Sequence, residues 1–319
     1  MRSWMTTLTQ LRTFLAVAET GSVRAAAERL VVTESAVSSC VGSLQKDLKL
    51  ALVRKDGRGL RLTDAGTVYA GYVRSVLGLL DEAHAAAAGE AEGGLLRIAA
   101  VTTAGEQLLP GLLAAFREKH PSIGILLEVG NRERALRLAG DHQVDLVLGG
   151  RPPQGPGWPR MIAHAVRANP LVVVCPPALR AELLAELGLA VPGDLGQPAA
   201  RPGLVAWLAR QTWLLRERGS GTRATTEVFF EELDIAPGTL TVGSNVAVCE
   251  SVAAGLGVTL ISRDAVAREL GRGVLAELPC PGTPLRRDWC LVSRAGRLPA
   301  PSQLFIQQVW RAEGWTAAR

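Results

Sequence analysis

The first sixty residues place apolar and polar positions at the spacing of short helices. The repeat of the first helix is formed by Leu11, Phe14, Leu15 and Ala18. Ser22 can then N-cap a second helix with the sequence VRAAAERL, and Thr33 can N-cap a third, with Glu34 in its first turn. Three short helices with a tight turn before the third predict a helix-turn-helix.

A short hairpin is predicted after the third helix, in the segment ALVRKDGRGLRLTDAG. Its tight turn is the pair Asp56 and Gly57, which lies between two short apolar runs and among basic residues. This pattern predicts a β-wing that meets DNA phosphates, which supply affinity but carry no base sequence. The candidate DNA-binding residues of the head are Arg24, Thr33, Ser35, Ser38, Ser39, Gly42, Lys46, Arg54, Arg58 and Arg61.

The DNA-facing side of the third helix is poor in side chains that read bases. Its positions hold mostly serine and glycine, and serine serves several bases with little discrimination. Arg24 and the arginines of the wing then supply electrostatic attraction. We expect a modest sequence preference from each head, with specificity coming from several heads on spaced half-sites and from DNA shape. A head that no longer binds DNA is the alternative.

The segment from 64 to about 90 contains no proline and carries an apolar stripe at helical spacing. The stripe is formed by Tyr69, Tyr72, Val76, Leu79, Ala83 and Ala86. A helix of about 26 residues is roughly 40 Å long, and such a helix needs an apolar partner along its stripe. The heptad-like spacing predicts an antiparallel or parallel pair with the same helix of a second chain, and hence a homodimer. Gly89, Gly93 and Gly94 predict a hinge to the next domain.

The rest of the chain changes to alternating strands and helices. Strands are predicted at 95–101, 123–130 and 144–150 with amphipathic helices between them, and a second series starts at 171–175. This alternation predicts parallel sheets with both faces covered. The segment DWCLVS and a final helix over about 301–310 are predicted to return to the first unit.

Candidate ligand-binding residues follow several of these strands, where helices begin. Open α/β units bind ligands at the carboxyl ends of their strands. In the segment RERGSGTR, two glycines let backbone N–H groups approach an anion, while the hydroxyls and arginines offer donors and charge. Asn131 follows the second strand, with Arg132 beside it. The candidate effector-binding residues are Thr102, Thr103, Asn131, Arg151, Arg216, Ser220, Gly221, Thr222, Arg223 and Asn245.

These residue types favour a small anionic effector, such as a carboxylate or a phosphorylated metabolite, and arginines beside glycine-rich loops favour phosphate. Structural alternatives stay open for each group. GSGTR can simply initiate a helix, the threonines can simply cap one, and Arg151 can lie in a solvated crossover.

The excess positive charge lies at the start of the chain. Residues 1–62 hold ten basic and five acidic residues, whereas the rest of the chain holds 25 of each. This asymmetry is typical of a nucleic-acid-binding head on a neutral body. No apolar run approaches 18 residues, and the N-terminus is amphipathic, so no membrane span or secretion signal is expected and the chain is predicted to be cytoplasmic.

Catalytic and metal-binding patterns are absent from the sequence. Ser220 is not part of a GxSxG motif, and no Walker loop or GxGxxG follows a strand. The five cysteines form no CxxC pair, and the four histidines do not cluster near them. We therefore expect neither an enzyme nor a metal site, and no cofactor besides the effector. Scattered cysteines favour core positions, with a redox pair of Cys280 and Cys290 as the alternative.

Residues 8–66 resemble the winged helix-turn-helix of LysR-type transcriptional regulators. The resemblance is carried by AAERL in the second helix, AVS opening the third, and RGLRLTDAG at the wing. The body resembles the effector-binding domain of that family through FREKHPSIGILLEVGN, VDLVLGGRPP, LRERGSGTR and VAAGLGVTLISRDAV. LRERGSGTR and PLRRDW are most similar to regulators of carbon-fixation operons.

The resemblance implies an α/β fold class with an N-terminal winged helix-turn-helix, a long linker helix, and a two-lobed effector domain like that of periplasmic binding proteins. The expected bounds are 1–63 for the head, 64–92 for the dimerisation helix and 93–319 for the effector domain, with lobe I at about 93–168 and 267–319 and lobe II at about 169–266.

The resemblance also implies the partners of the chain. These are double-stranded promoter DNA, a small-molecule effector, a second copy through the linker helix, and further copies in a homotetramer, with a contact to RNA polymerase allowed. The alternatives are a ligand-binding module without DNA function and a non-specific DNA binder without effector control. The location of the excess charge argues against the first, and the Gly-, Thr- and Arg-bearing loops argue against the second.

Overall fold

The computed structural model describes residues 6–57, 59–87, 94–153 and 160–318. Arg58 of the wing and the predicted hinge glycines Gly89 and Gly93 lie outside the described residues. The head and linker contain α1 (Leu8–Thr20), α2 (Val23–Leu30), α3 (Glu34–Leu48), β1 (Val53–Asp56), β2 (Gly59–Leu62) and α4 (Asp64–Ala87).

The body begins with β3 (Gly94–Val101), α5 (Thr102–Gln107), α6 (Leu109–Lys119), β4 (Ile123–Gly130), α7 (Arg132–Gly140), β5 (Leu146–Gly149) and β6 (Met161–Ala168). It continues with β7 (Leu171–Cys175), α8 (Pro177–Glu186), α9 (Arg201–Arg210), β8 (Trp213–Arg216), α10 (Gly221–Leu233), β9 (Thr239–Val242), α11 (Asn245–Ala253), β10 (Thr259–Ser262), α12 (Arg263–Gly271) and β11 (Ala276–Leu278). The chain ends with β12 (Asp288–Arg294), α13 (Ala300–Val309) and β13 (Thr316–Ala317).

The head is a three-helix unit whose helix starts are capped as the sequence predicts. The Ser22 hydroxyl accepts from the N–H of Ala25 at 3.4 Å, and the Thr33 hydroxyl accepts from that of Ala36 at 3.2 Å. Each cap satisfies a backbone donor that the first turn of a helix leaves without a partner. Between the helices, small and branched apolar side chains form a buried cluster of Ala16, Val17, Ala26, Ala27, Val37 and Val41.

The predicted wing is present as an antiparallel hairpin. β1 and β2 pair from Val53 with Leu62 to Asp56 with Gly59, and Gly57 adopts a positive φ of 57° in the turn. Glycine tolerates that conformation at little cost, which is why the Asp-Gly pair turns the chain here.

The linker helix α4 uses its two faces differently. One face packs on the head, where Tyr69 lies 5.6 Å from Phe14 between ring centroids and Ala70 and Val73 are buried. The opposite face exposes Val68, Tyr72, Val76 and Leu79. The apolar stripe of the sequence is therefore divided among the head, lobe I, where Tyr72 lies beside His142, and a surface open to a partner. No helix in the described part of the chain is long and apolar enough to cross a membrane.

Lobe I is built on a mixed sheet with the strand order β13-β6-β12-β5-β3-β4. β3 runs parallel to β4 and β5, whereas β12 runs antiparallel to β5 and β6. The predicted return of DWCLVS to the first unit is thus confirmed. The expectation of parallel sheets is wrong, because the returning strand enters the sheet from the opposite end.

Lobe II combines the antiparallel strands β10-β7-β11 with the parallel pair β8-β9. Backbone hydrogen bonds join the two groups, since the N–H of Leu214 donates to Val258 O at 2.9 Å. β11 pairs with β7, opposite Cys175, and Leu285 bridges to Leu171. Residues up to about 285 therefore belong to lobe II, and the predicted return to lobe I at 267 is too early. A three-residue strand such as β11 leaves almost no periodic signal in the sequence.

The cysteines are free thiols. Cys280 lies in the core of lobe II, whereas Cys290 lies in a core cluster of lobe I. Burial raises the pKa of both thiols and therefore disfavours the reactive thiolate. The alternative of a redox pair formed by these two residues is contradicted, and both act as core residues.

Candidate DNA-binding surface and interlobe pocket

The exposed side of the recognition helix α3 carries mostly short neutral side chains between Glu34 at its start and Lys46 near its end. Its buried side carries Val37, Val41 and Leu44. The opposite side exposes the predicted contacts Thr33, Ser35, Ser38, Ser39, Gly42 and Lys46. A Cβ placed on Gly42 would meet no atom within 4 Å, so the centre of this face is open.

Basic side chains flank that face on the wing. Arg54 and Arg61 are directly opposite each other in the β1–β2 register and are both exposed. Opposite residues of an antiparallel pair point to the same face, so both guanidiniums lie on one side of the wing. Arg61 also has Asp56 of the same hairpin as a neighbour, with 3.9 Å between its Nη1 and the carboxylate. Arg24, on α2, is also exposed but is engaged by Glu28, with 3.0 Å between Nε and Oε1.

A pocket of about 50 Å³ lies between the two lobes, at the carboxyl ends of β3, β4 and β8. Most of its lining residues have polar side chains, and they come from both lobes. The residues are Val101, Thr102, Thr103, Asn131, Arg132, Gly150, Asn169, Leu171, Arg216, Ser220, Gly221, Thr222, Ser262, Arg287 and Trp289. The structure thus brings together seven of the ten predicted effector-binding residues.

Several of these side chains are positioned by the N-terminal ends of helices. Asn131 N-caps α7 by accepting from the N–H of Arg134 at 2.9 Å, and its amide donates across the cleft to Arg218 O at 3.4 Å. Ser220 N-caps α10 by accepting from the N–H of Arg223 at 3.5 Å. The amino ends of α7 and α10 therefore face each other across the pocket, and both favour negative charge between them.

Arg216 is buried at one side of the pocket and is neutralised by its neighbour. Its Nε lies 2.8 Å from the Glu217 carboxylate, and it also donates to the side-chain oxygen of Asn245. The Asn245 amide in turn donates to Thr103 Oγ1 at 2.7 Å, and Arg216 lies 3.5 Å from Thr102 Oγ1. Arg216 and Asn245 thus tie lobe II to lobe I, and Asn245 stands behind the lining.

Arg132 and Arg287 are the charged residues of the pocket that the candidate set lacks. A Cβ on Gly150 would lie 3.0 Å from a guanidinium nitrogen of each, so the two groups flank the same point. Both guanidinium groups donate hydrogen bonds to uncharged backbone carbonyls. Arg132 donates to Arg151 O at 2.7 Å, and Arg287 donates to Gly221 O at 3.0 Å. Neither forms a salt bridge with any described residue.

Electrostatics explains what this pair can bind. Burial lowers the pKa of Arg132, while burial and then the charge of Arg132 lower the pKa of Arg287. Burial and mutual repulsion both disfavour the cationic form of these arginines. An anion bound between the two guanidinium groups would favour the cationic form and so raise both pKa values. The available sequence signals were the position of Arg132 directly after a strand and the basic segment PLRRDW that contains Arg287.

Arg151 and Arg223 do not reach the pocket, in contrast to their sequence assignment. The Arg151 side chain is 79% exposed and lies 2.8 Å from the Asp288 carboxylate. Arg223 points along α10, where it meets Glu227 at 2.8 Å and donates to Thr241 Oγ1 at 3.1 Å. Both guanidinium groups are therefore paired with residues outside the pocket.

Three further residues, Asn169, Ser262 and Trp289, lie near the segments that connect the two lobes and complete the pocket. The Ser262 hydroxyl donates to Asn169 Oδ1 at 2.7 Å, and the indole N–H of Trp289 donates to the Asp264 carboxylate at 2.8 Å. These residues are not among the candidates predicted from the sequence, because they lie outside the glycine-rich segment and the strand-to-helix junctions from which those candidates come.

The two parts of the chain each match a described protein domain. Residues 89–313 match the LysR substrate binding domain, and residues 8–67 match the bacterial regulatory helix-turn-helix protein, lysR family. The chain belongs to the LysR family of transcriptional regulators. This LysR regulator combines a DNA-binding head with an effector-binding domain, as its sequence resemblance implies.

Relatives of this LysR regulator include proteins of carbon fixation. It is 35% identical over 300 residues to a RuBisCO operon transcriptional regulator of Allochromatium vinosum, with 92% of each chain covered. It is 34% identical over 303 residues to the HTH-type transcriptional regulator CbbR of Rhodospirillum rubrum, again with 92% of each covered. These relatives confirm the resemblance to the carbon-fixation subgroup, and their names describe regulators, not enzymes.

Solved structures of the family have the same fold. The regulatory domain of Synechocystis PCC6803 CcmR, in complex with 2-PG, matches at 27% identity with a TM-score of 0.55, covering 67% of this chain and 94% of that one. Full-length CbnR complexed with its target DNA matches at 22% identity with a TM-score of 0.59, covering 96% and 99%. The second likeness shows the shared architecture alone.

Proposed function

We propose that the interlobe pocket binds a small anionic metabolite, and that this binding controls how the heads act at a promoter. The observation that carries the proposal is the pair Arg132 and Arg287, two guanidiniums that line one pocket without a carboxylate partner among the described residues. Arginine donors match phosphate and carboxylate oxygens in bidentate geometry. The related CcmR domain in complex with 2-PG supports the same assignment.

The size of the pocket links ligand binding to the lobe arrangement. At about 50 Å³ it holds on the order of four water-sized groups. A larger effector therefore requires the lobes to separate along the contacts that Arg216 and Asn131 make across the cleft. An effector that prefers one lobe arrangement shifts the population toward it, which is the energetic requirement for control.

Self-association through α4 is the second part of the proposal. The exposed face with Val76 and Leu79 is apolar, and it continues a helix whose other face is already packed on the head. Pairing two copies would remove this face from water and place two heads on one DNA site. A tetramer is the expectation from the family.

The names of the relatives support a proposal for the genes that this regulator controls. We infer that the promoters bound by this regulator belong to carbon-fixation genes, and that it acts in the cytoplasm, where promoter DNA and RNA polymerase are found. A contact with RNA polymerase at such a promoter stays a prediction.

Calorimetry on the full-length protein tests the effector site. Wild-type protein is expected to bind 2-PG, or inorganic phosphate more weakly, and not glycerol. Arg287→Ala is expected to weaken binding by at least about tenfold, because a buried charged partner is lost. Arg151→Ala is the matched control, since it removes an exposed arginine outside the pocket, and it should bind like wild type.

Two results would contradict the anionic site: glycerol binding as well as 2-PG, or unchanged affinity in Arg287→Ala with an intact melting temperature. A gel shift with promoter DNA separates the two functions. Arg287→Ala should still bind DNA but should lose the change in binding that the effector causes.

A further inference from the structure

The first turn of α3 is the part of the head that a helix-turn-helix presents to base edges in the major groove. Thr33 caps this turn, and Glu34 is its first helical residue. Glu34 is exposed, whereas Val37 and Val41 on the other face are buried against the rest of the head. The packing of the head therefore fixes the turn and leaves the Glu34 side chain free to extend outward.

Glu34 differs in chemistry from its exposed neighbours in that turn. Ser35, Ala36, Ser38 and Ser39 are short and neutral, whereas Glu34 is charged and reaches further. Within the described part of the chain its carboxylate makes neither a hydrogen bond nor an ion pair. The neighbouring cation Arg24, which feels the Glu34 charge, is already engaged by Glu28.

A carboxylate in the major groove has few partners. It only accepts hydrogen bonds, and both phosphates and the acceptor edges of guanine and thymine repel it. The donors in the groove are the amino groups of cytosine and adenine. The adenine amino group lies between two acceptors that oppose a carboxylate, its own N7 and the O4 of the paired thymine, whereas the cytosine amino group has an acceptor on one side only, the O6 of the paired guanine.

We propose that Glu34 determines specificity by accepting a hydrogen bond from the amino group of one cytosine in each half-site. It would be the charged base-reading group of a helix whose other exposed residues discriminate little. The same carboxylate is repelled by DNA that offers no cytosine at this position, so Glu34 also lowers the affinity for random sequence. The basic wing supplies the attraction that offsets this repulsion.

Selection from a randomised duplex library tests the proposal on the full-length protein. Wild type is expected to enrich cytosine at one position of each half-site. Glu34→Gln keeps the size of the side chain but adds a donor, so the preference at that position should shift to adenine by roughly tenfold. Its affinity for random DNA should rise. Asp47→Asn is the matched control, because Asp47 is an exposed carboxylate at the far end of the same helix, and it should select like wild type.

A second variant separates base reading from folding. Glu34→Ala should keep its melting temperature near that of wild type and lose the preference at this one position without gaining another. The proposal is overturned if wild type enriches no cytosine, or if Glu34→Gln selects the same bases as wild type at every position. It also fails if both Glu34 variants lose specific binding altogether at an unchanged melting temperature, since Glu34 would then hold the complex together without selecting a base.

Discussion

At the scale of single residues, Val31 holds the turn before the recognition helix in an unfavourable conformation. Its φ of 55° and ψ of 48° are left-handed, a region that β-branched residues rarely adopt. Its N–H bonds to carbonyls of the last turn and ends α2. The side chain is 90% exposed, so packing does not offset the backbone cost.

Replacing Val31 with asparagine should stabilise the head. Asparagine tolerates the left-handed conformation, and the expected gain is about 1 kcal/mol. Thermal melting of the full-length protein checks this on the transition of the head. Val32→Asn is the control, because Val32 is also exposed but has no positive φ, and it should bring no gain. A lower melting temperature for Val31→Asn would mean that the valine makes a contact that offsets the strain.

At the scale of elements, the linker helix α4 lies unusually close to lobe I. A Cβ on Gly71 would come within 2.4 Å of the backbone oxygen of Asp141, so only glycine permits this approach. The ring of His142 then lies 4.7 Å from that of Tyr72 between centroids, at a tilt of 42°, and its Nδ1 lies 3.1 Å from Ser75 Oγ. This contact connects the linker, and through it the head, to the lobe that carries half of the effector pocket.

The contact between α4 and lobe I should weaken in acid. Burial, and then the charge of Arg294, lower the pKa of His142 below its ordinary value of 6.5. As the pH falls through that ordinary value, the unfolded chain binds the proton first, so stability present at neutral pH is lost. His142→Asn should therefore reduce the loss of melting temperature between about pH 7.5 and about pH 5.5.

Ser75→Ala serves as the comparison for the pH experiment. It removes the hydrogen bond to His142 but keeps the titrating ring. It should lower the melting temperature at every pH while its pH dependence stays near that of wild type. Equal pH dependence in His142→Asn and wild type would exclude His142 as the source.

At the scale of the whole molecule, the head, the linker helix and the body differ in net charge and in exposed apolar surface. The net positive charge lies in the head, and the exposed apolar face of α4 lies between the head and the neutral body. A pair of chains joined along α4 would carry two basic heads. Phosphate attraction and half-site spacing would then act together, which would compensate for the modest sequence preference that we expect from each α3.

Val76→Glu should prevent the dimerisation through α4 that we propose. A charge buried at the centre of the proposed helix pair has no partner, and its desolvation opposes association. Sedimentation velocity at micromolar concentration measures the change. Val191→Glu is the control, since it places the same charge at an exposed apolar residue of lobe II and should leave the assembly unchanged. A dimer that survives Val76→Glu would place the interface elsewhere.

Local patterns in the sequence were sufficient for the head and for the start of the body. Ser22 and Thr33 are capping residues because hydroxyls bond to nearby backbone donors, and the Asp56-Gly57 turn follows from the freedom of glycine. The order of strands and helices in lobe I follows from hydrophobic periodicity in the same way. Such interactions span a few residues, so one stretch of chain specifies them.

The sequence by itself determined the family, the head and the strand ends where a ligand would bind. Only the tertiary structure decided which arginines meet there. Arg132 and Arg287 are far apart in the chain and are brought to one point by the returning strand β12, whereas Arg151 and Arg223 find carboxylates nearby and turn away. The direction of a charged side chain depends on the partners that the folded chain places around it, and those partners come from distant segments.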